Sequence, residues 1–319
     1  MSKALYALIA ALGIGLWIAT PGTLGPGPDS AAISENLDAW AVNSDQYEAD
    51  TFGLVPGAER RFTWAADGAT TPFGVIAIHG FSASRQETAP LAGRVASALQ
   101  ANLFEVRLTG HGRTTGALVD VRAEDWQRDL AESLQAGAHI GERLILLTTS
   151  TGATLVTAML DHRLMSEVDA IIMISPNFRP KDANSAWLTR FGGRLSSLVA
   201  LGRERCWNAR NELQERFWST CYPTTALIEV MRLVDRAKKM LPRAISQRLL
   251  VLYSGGDQVV SPEAIRESFA LIDAPHKKLI EVQDSGDPSQ HVLAGDIMSP
   301  QTTDDIAATI VEFIEHPTP

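Results

Sequence analysis

Short, wholly apolar runs alternate with helix-like stretches from about residue 60 onward, and that rhythm narrows what the chain can fold into. Runs at 73–78 (FGVIAI), 144–149 (LILLTT), 170–174 (AIIMI) and 249–253 (LLVLY) have strand length and almost no polar face. A strand that is apolar on both sides must be covered on both sides. Weaker strand patterns fall at 60–65, 103–108 and 278–282, with helix-like runs at 86–100, 124–138, 151–162 and 301–314. Strands separated by helices predict the α/β class, a mainly parallel sheet with helices on both faces.

The rhythm breaks once. Between the strands at 170–174 and 249–253 the chain is rich in Trp, Arg and Leu, without a clear strand. This predicts a helical cap at 177–246, inserted into a core made of 31–176 and 247–319. Its place is over the carboxyl ends of the strands, where open α/β sheets hold ligands. The aromatics Trp187, Phe191, Trp207, Phe217 and Trp218 are expected to pack on the sheet body, some of them lining an apolar pocket. Cys206 and Cys221 are the only cysteines, too few to suggest a metal site. A disulfide between them is permitted in an exported domain. The stretch 208–218 reads as a helix spanning ~16 Å, whereas bridged Cα atoms lie within about 7 Å. The bridge therefore requires the chain to double back.

The N-terminus is of another kind. Residues 4–19 are nearly all apolar, preceded by Lys3; the next basic residue is Arg60. That asymmetry predicts an export signal or an uncleaved inner-membrane anchor at 1–20, with the catalytic body outside the cytoplasm. A Pro/Gly linker at 21–30 follows. The net charge is −9 with scattered acids, which argues against nucleic acid as a partner, since phosphate binding draws on clustered Lys and Arg. No phosphate-binding glycine loop and no metal-ligand spacing occur, so no cofactor is expected.

Chemistry concentrates at Thr148-Thr149-Ser150-Thr151-Gly152, between a strand and a helix. A hydroxyl on a sharp turn, with small residues two positions to each side, is what acyl transfer needs. The plain alternative is a serine capping a helix. A serine hydroxyl needs a base, and the base an orienting carboxylate. Asp257 ends the strand at 249–253, and His291 follows the last strand. The order Ser150, Asp257, His291 puts all three on one sheet edge. For the oxyanion, the Thr151 amide at a helix start and the Phe81 amide after the strand at 73–78 are the candidate donors, with Ser82 as the fallback.

HGFSAS (79–84), RLTGHGR (107–113), the Ser150 turn, the Asp257 segment and His291-Val292 together resemble the α/β-hydrolase superfamily. Within it they are similar to the bacterial carboxylesterase and monoglyceride-lipase-like branch. The similarity runs from about 60 to 315 and is weakest across the cap. It implies an eight-stranded type of sheet, triad roles for Ser150, Asp257 and His291, and oxyanion donors at Phe81 and Thr151. It also implies a loop-anchoring role for His111. The expected reaction is cleavage of a small ester, with an apolar acyl or alcohol part, through an acyl-enzyme. Amide, peptide or thioester cleavage by the same groups, or a non-catalytic binding descendant, are the alternatives. Thr148 departs from the usual Gly-x-Ser-x-Gly pattern, and its branched Cβ makes the turn tighter to pack.

Overall fold

The computed structural model describes residues 36–65, 68–182 and 201–316, and besides them Leu24, Gly25, Ile33 and Leu188. The sheet follows the apolar runs. Its strands are β1 (Arg61–Thr63), β2 (Thr71–Ile78), β3 (Asn102–Glu105), β4 (Gly141–Thr149) and β5 (Val168–Ile174). A further ribbon, β6 (Glu204–Cys206) and β7 (Cys221–Pro223), and a short β8 (Arg243–Ala244) come before β9 (Arg248–Tyr253). The last two are β10 (Ile272–Asp273) and β11 (Lys277–Glu281). The main sheet has the order β1-β3-β2-β4-β5-β9-β11. Only β1 runs antiparallel to its neighbour. Seven strands are therefore described, one fewer than the eight-stranded type.

Side chains of the central strands alternate between two cores, as a period of two requires. Ile76, Ile78, Leu144, Leu146, Ile171, Met173, Leu249 and Val251 face one side. Val75, Ile145, Leu147, Ala170, Ile172, Ile174, Leu250 and Leu252 face the other. The second side is covered by α2 (Leu91–Ala98) and the closing helix α8 (Pro300–Glu315). The first is covered by α1 (Leu37–Phe52), α3 (Ala123–Ile140), α4 (Thr151–Ala158), α6 (Thr224–Lys239) and α7 (Pro262–Ala270). The expected α/β class is the observed one.

Helix α1 turns Leu37, Ala41, Asp45 and Glu48 inward. The two inward carboxylates meet buried arginines. Arg60 Nε lies 2.7 Å and Arg107 Nη2 2.8 Å from Asp45 Oδ1, and Glu48 pairs with both Arg107 and Arg113. Burial opposes the charge on Glu48, but the two guanidiniums outweigh it and hold its carboxyl below the usual range. Leu24 is buried in the first core, and Gly25 O accepts from Gln127 Nε2 at 3.2 Å. Within the expected 21–30 linker, these two described residues therefore contact the body.

The 177–246 stretch, expected as a helical cap, also holds β6, β7 and β8, and its helix α6 packs on the sheet as part of the body. The stretch read as a helix over 208–218 is the short α5 (Glu212–Phe217), flanked by β6 and β7 in an antiparallel ribbon. Six residues span only ~9 Å, and the ribbon turns the chain back. Cys206 and Cys221 are consequently bonded, with Cα atoms 4.2 Å apart. The long α6 is amphipathic: Ala226, Val230, Leu233 and Ala237 pack into the first core. Among the described residues no helix is long and apolar enough to cross a membrane. The 4–19 segment, Trp187 and Phe191 lie outside the described residues.

Candidate active site

Strand β4 passes directly into α4 at Ser150, whose φ of 50° and ψ of −113° place it in a region strained for a residue with a side chain. The turn is held there from both sides. Ser150 N–H donates to Ile174 O at 2.8 Å, and Asn177 N–H donates to Ser150 O at 3.2 Å. Gly152 is required by close approach: a Cβ there would lie 2.7 Å from Ile78 O and 2.8 Å from His79 O. Thr148 is accommodated. It is fully buried, and its Oγ1 donates across the sheet to Ile172 O at 2.8 Å, so the hydroxyl is satisfied.

The three residues named from the sequence converge. His291 Nε2 lies 3.0 Å from Ser150 Oγ, and His291 Nδ1 lies 2.8 Å from Asp257 Oδ2. Asp257 is fully buried at the end of β9, and its Oδ1 accepts from Val259 N and Val260 N at 2.8 and 2.9 Å. That leaves one oxygen aimed at the imidazole. Burial disfavours the imidazolium, but Asp257, Glu87 and Asp287 outweigh it and raise the His291 pKa above its ordinary value.

Several groups that the sequence did not reveal hold the histidine. Asp287 Oδ2 accepts from His291 N, Val292 N and Ser289 Oγ, while its Oδ1 takes Ser289 N. It builds the turn from which the imidazole projects. Ser175 Oγ donates to His291 O at 2.7 Å. An Asp-x-Ser-x-His spacing is the signal that reading for a triad alone passes over.

Phe81 and Thr151, the expected oxyanion donors, line the same cavity as Ser150. Thr151 is the first residue of α4, and no acceptor for the Thr151 or Phe81 amide occurs among the described residues. The loop carrying Phe81 is fixed from behind. Gly80 N–H donates to Glu87 Oε2 at 2.6 Å. His79 Nδ1 pairs with Gly80 O at 2.8 Å and its Nε2 accepts from Leu108 N at 3.2 Å. Burial pushes His79 down to about 4, which makes it a neutral group that holds the loop. His111 is also neutral, held far below its ordinary value by burial. Its Nδ1 bonds Leu108 O and Thr109 O at 3.2 Å, and its ring packs between His79, Phe81 and Trp126. It anchors the 107–113 loop.

Glu87 is the unanticipated residue. It is buried beside Ser150 and His291, and desolvation drives its carboxyl up to about 7. The cavity over Ser150 measures about 610 Å³. Trp207, Trp218 and Tyr222 of the 201–223 segment and Leu227, Val230 and Met231 of α6 line it, together with Phe81 and Val292. Of the expected cap aromatics, Trp207 and Trp218 line the cavity, while Phe217 packs behind Trp218. The described residues hold no cluster of His, Cys, Asp or Glu that could bind a metal ion.

Comparison with known proteins agrees with this architecture. A thermostable monoacylglycerol lipase from Bacillus sp. (strain H-257) is 24% identical over 214 residues, 67% of this chain and 82% of that protein. A solved structure from the metagenome-derived lipolytic enzymes LipS and LipT superposes with a TM-score of 0.66 at 22% identity. It covers 82% of this chain and 99% of its own. A monoacylglycerol lipase from Paleococcus ferrophilus gives a TM-score of 0.58 at 16% identity, over 80% of this chain and 97% of its own. The family model described as serine aminopeptidase, S33, matches residues 73–285. With an α/β-hydrolase fold and a family match over most of its length, the chain belongs to the serine aminopeptidase S33 family.

Proposed function

We propose that this protein hydrolyses carboxylic esters through an acyl-enzyme on Ser150. The observation that carries the reading is the Ser150–His291–Asp257 relay, with links of 3.0 and 2.8 Å, opening into a largely apolar cavity. Ser150 Oγ attacks the ester carbonyl while His291 Nε2 takes its proton. The tetrahedral oxyanion is held by the Phe81 and Thr151 amides. His291 then returns the proton to the departing alcohol, and water repeats the sequence on the acyl-enzyme. Asp257 fixes the imidazole with Nδ1 protonated, which leaves Nε2 free to accept. The cap covers the site and limits substrate size, and the lipolytic character of the relatives supports an apolar acyl group.

The family description raises peptide cleavage as a second reading. An aminopeptidase has to bind a substrate ammonium, for which an ionised carboxylate is needed. The two carboxylates lining the cavity are Glu87 and Asp287. Asp287 is saturated by its own turn, and Glu87 lies near 7 with one oxygen on Gly80 N. This favours an ester over a cationic peptide. The exposed disulfide further supports placement of the body in an oxidising compartment outside the cytoplasm.

The test is a panel of p-nitrophenyl esters and aminoacyl p-nitroanilides with the wild type, Ser150→Ala and Asp257→Asn. Ester turnover should fall on the order of 10⁴-fold in both variants, with circular dichroism unchanged. Retention of a tenth of the activity by folded Ser150→Ala removes the nucleophile, and anilide turnover exceeding ester turnover replaces the substrate class.

A further inference from the structure

Both cysteines are solvent-exposed, at the ends of a ribbon with three residues in each strand. So short an isolated ribbon is marginal on its own. Yet the loop it closes, 207–220, reaches both walls of the reaction site. On one wall, Ser219 N–H donates to Ser82 O at 2.6 Å, directly after Phe81. Tyr222, next to Cys221, sets its ring 5.0 Å from the Phe81 ring, edge to face at 80°. On the other wall, Asn211 Nδ2 donates to Ile297 O at 3.1 Å, in the loop that follows His291. Trp218 bridges the two, packed with Ala83 on one side and with Val292 and Met298 on the other.

We propose that the Cys206–Cys221 disulfide is a positioning element for the reaction, holding the 207–220 loop closed so that it clamps the Phe81 segment against the His291 segment. The proposal rests on the reading of Ser150 as nucleophile. None of the bonds that join Ser150, His291 and Asp257 to one another passes through this loop. Opening it leaves the relay in place and frees the Phe81 amide to wander from the oxyanion position. That loss is felt in the transition state more than in substrate binding, so it lowers kcat.

Reduction by a dithiol opens the clamp. A thiolate of the reagent attacks one cysteine sulfur, the S–S bond breaks, and the reagent's second thiolate displaces the mixed disulfide. Two electrons and two protons pass to the protein, leaving two cysteine thiols and a cyclic oxidised reagent.

The experiment compares wild type, before and after dithiothreitol, with the Cys206→Ser/Cys221→Ser double variant on a short p-nitrophenyl ester. Mass spectrometry of alkylated protein counts the thiols, and a fluorophosphonate probe counts competent serines. The expected result is a fall in kcat of about tenfold or more on reduction, with KM changed less, near-stoichiometric probe labelling retained, and recovery on reoxidation. The double variant should match reduced wild type and ignore the reagent. Fully reduced enzyme that keeps kcat within twofold overturns the proposal, as does a change confined to KM. Loss of near-ultraviolet circular dichroism together with activity also overturns it, because the bridge would then staple the fold instead of positioning the site. Oxidised wild type that neither turns over esters nor takes the probe defeats the nucleophile reading instead.

Discussion

Replacing Glu87 by Gln isolates the energetic consequence of a buried acid. The residue is 3% exposed, and desolvation raises its carboxyl from 4.5 to about 7, against the opposing pull of the Gly80 amide and of His291. At about 1.4 kcal/mol per pKa unit, ionising it inside the fold costs about 3 kcal/mol relative to the unfolded chain. The sign follows from the proton count. Because the folded pKa is raised, the stability tied to the proton is fully present below pH 4.5 and is lost as pH rises through about 7. The glutamine variant retains an acceptor for Gly80 N–H and has no charge to bury. Its melting temperature should match wild type near pH 4.5 and exceed it by on the order of 5 °C at pH 8.5. Thermal melts of both proteins across that range provide the assay. A difference that stays flat within about 1 °C refutes the reasoning, since it would mean that Glu87 titrates alike folded and unfolded. The same substitution removes one of the charges that raise His291. The acid limb of the kcat/KM profile should therefore move to lower pH.

Three further outcomes are expected. Gly152→Ala places a methyl 2.7 Å from Ile78 O, so it should cost about 1–3 kcal/mol in denaturant melts and roughly 10²-fold in kcat through displacement of Ser150. Arg107→Met strips a partner from both Asp45 and Glu48, each buried, and should destabilise by about 3 kcal/mol in urea titration. Deletion of residues 1–28 removes buried Leu24. It should unfold more easily than deletion of 1–22 by about 2 kcal/mol, with esterase activity retained in both at 25 °C.

What could be read from the chain was whatever expresses itself as an apolar period or a chemical spacing. The four central strands, the Ser150 turn, Asp257 and His291 all do. Helix α1 does not, although its inward positions 37, 41, 45 and 48 follow a helical period. Two of them are carboxylates, which a search for an apolar stripe counts as solvent-facing. Glu87 was lost for the same reason, inside a run that looked polar and exposed. The Cys206–Cys221 bridge was left open because three-residue strands carry too little pattern to betray a ribbon, so nothing in the sequence marked where the chain doubles back. Thr148 was visible as a departure, but its hydroxyl bond to Ile172 O depends on the neighbouring strand. No local motif records that partner.

The ion cluster under α1 bears on how the catalytic unit is bounded. The family match begins at residue 73, and the first strand at Arg61. A boundary drawn at either point would discard Asp45 and Glu48 while keeping Arg107 and Arg113 within the interior. Those guanidiniums cannot shed their protons, so a fragment of that kind carries stranded positive charge where the intact chain is neutralised. Excision by sequence similarity would thus yield an insoluble or open body, whereas a cut ahead of Leu37 keeps each buried cation with its counterion. The smallest transplantable enzyme is set by electroneutrality of the interior, and it is longer than the stretch 73–285 that matches the family.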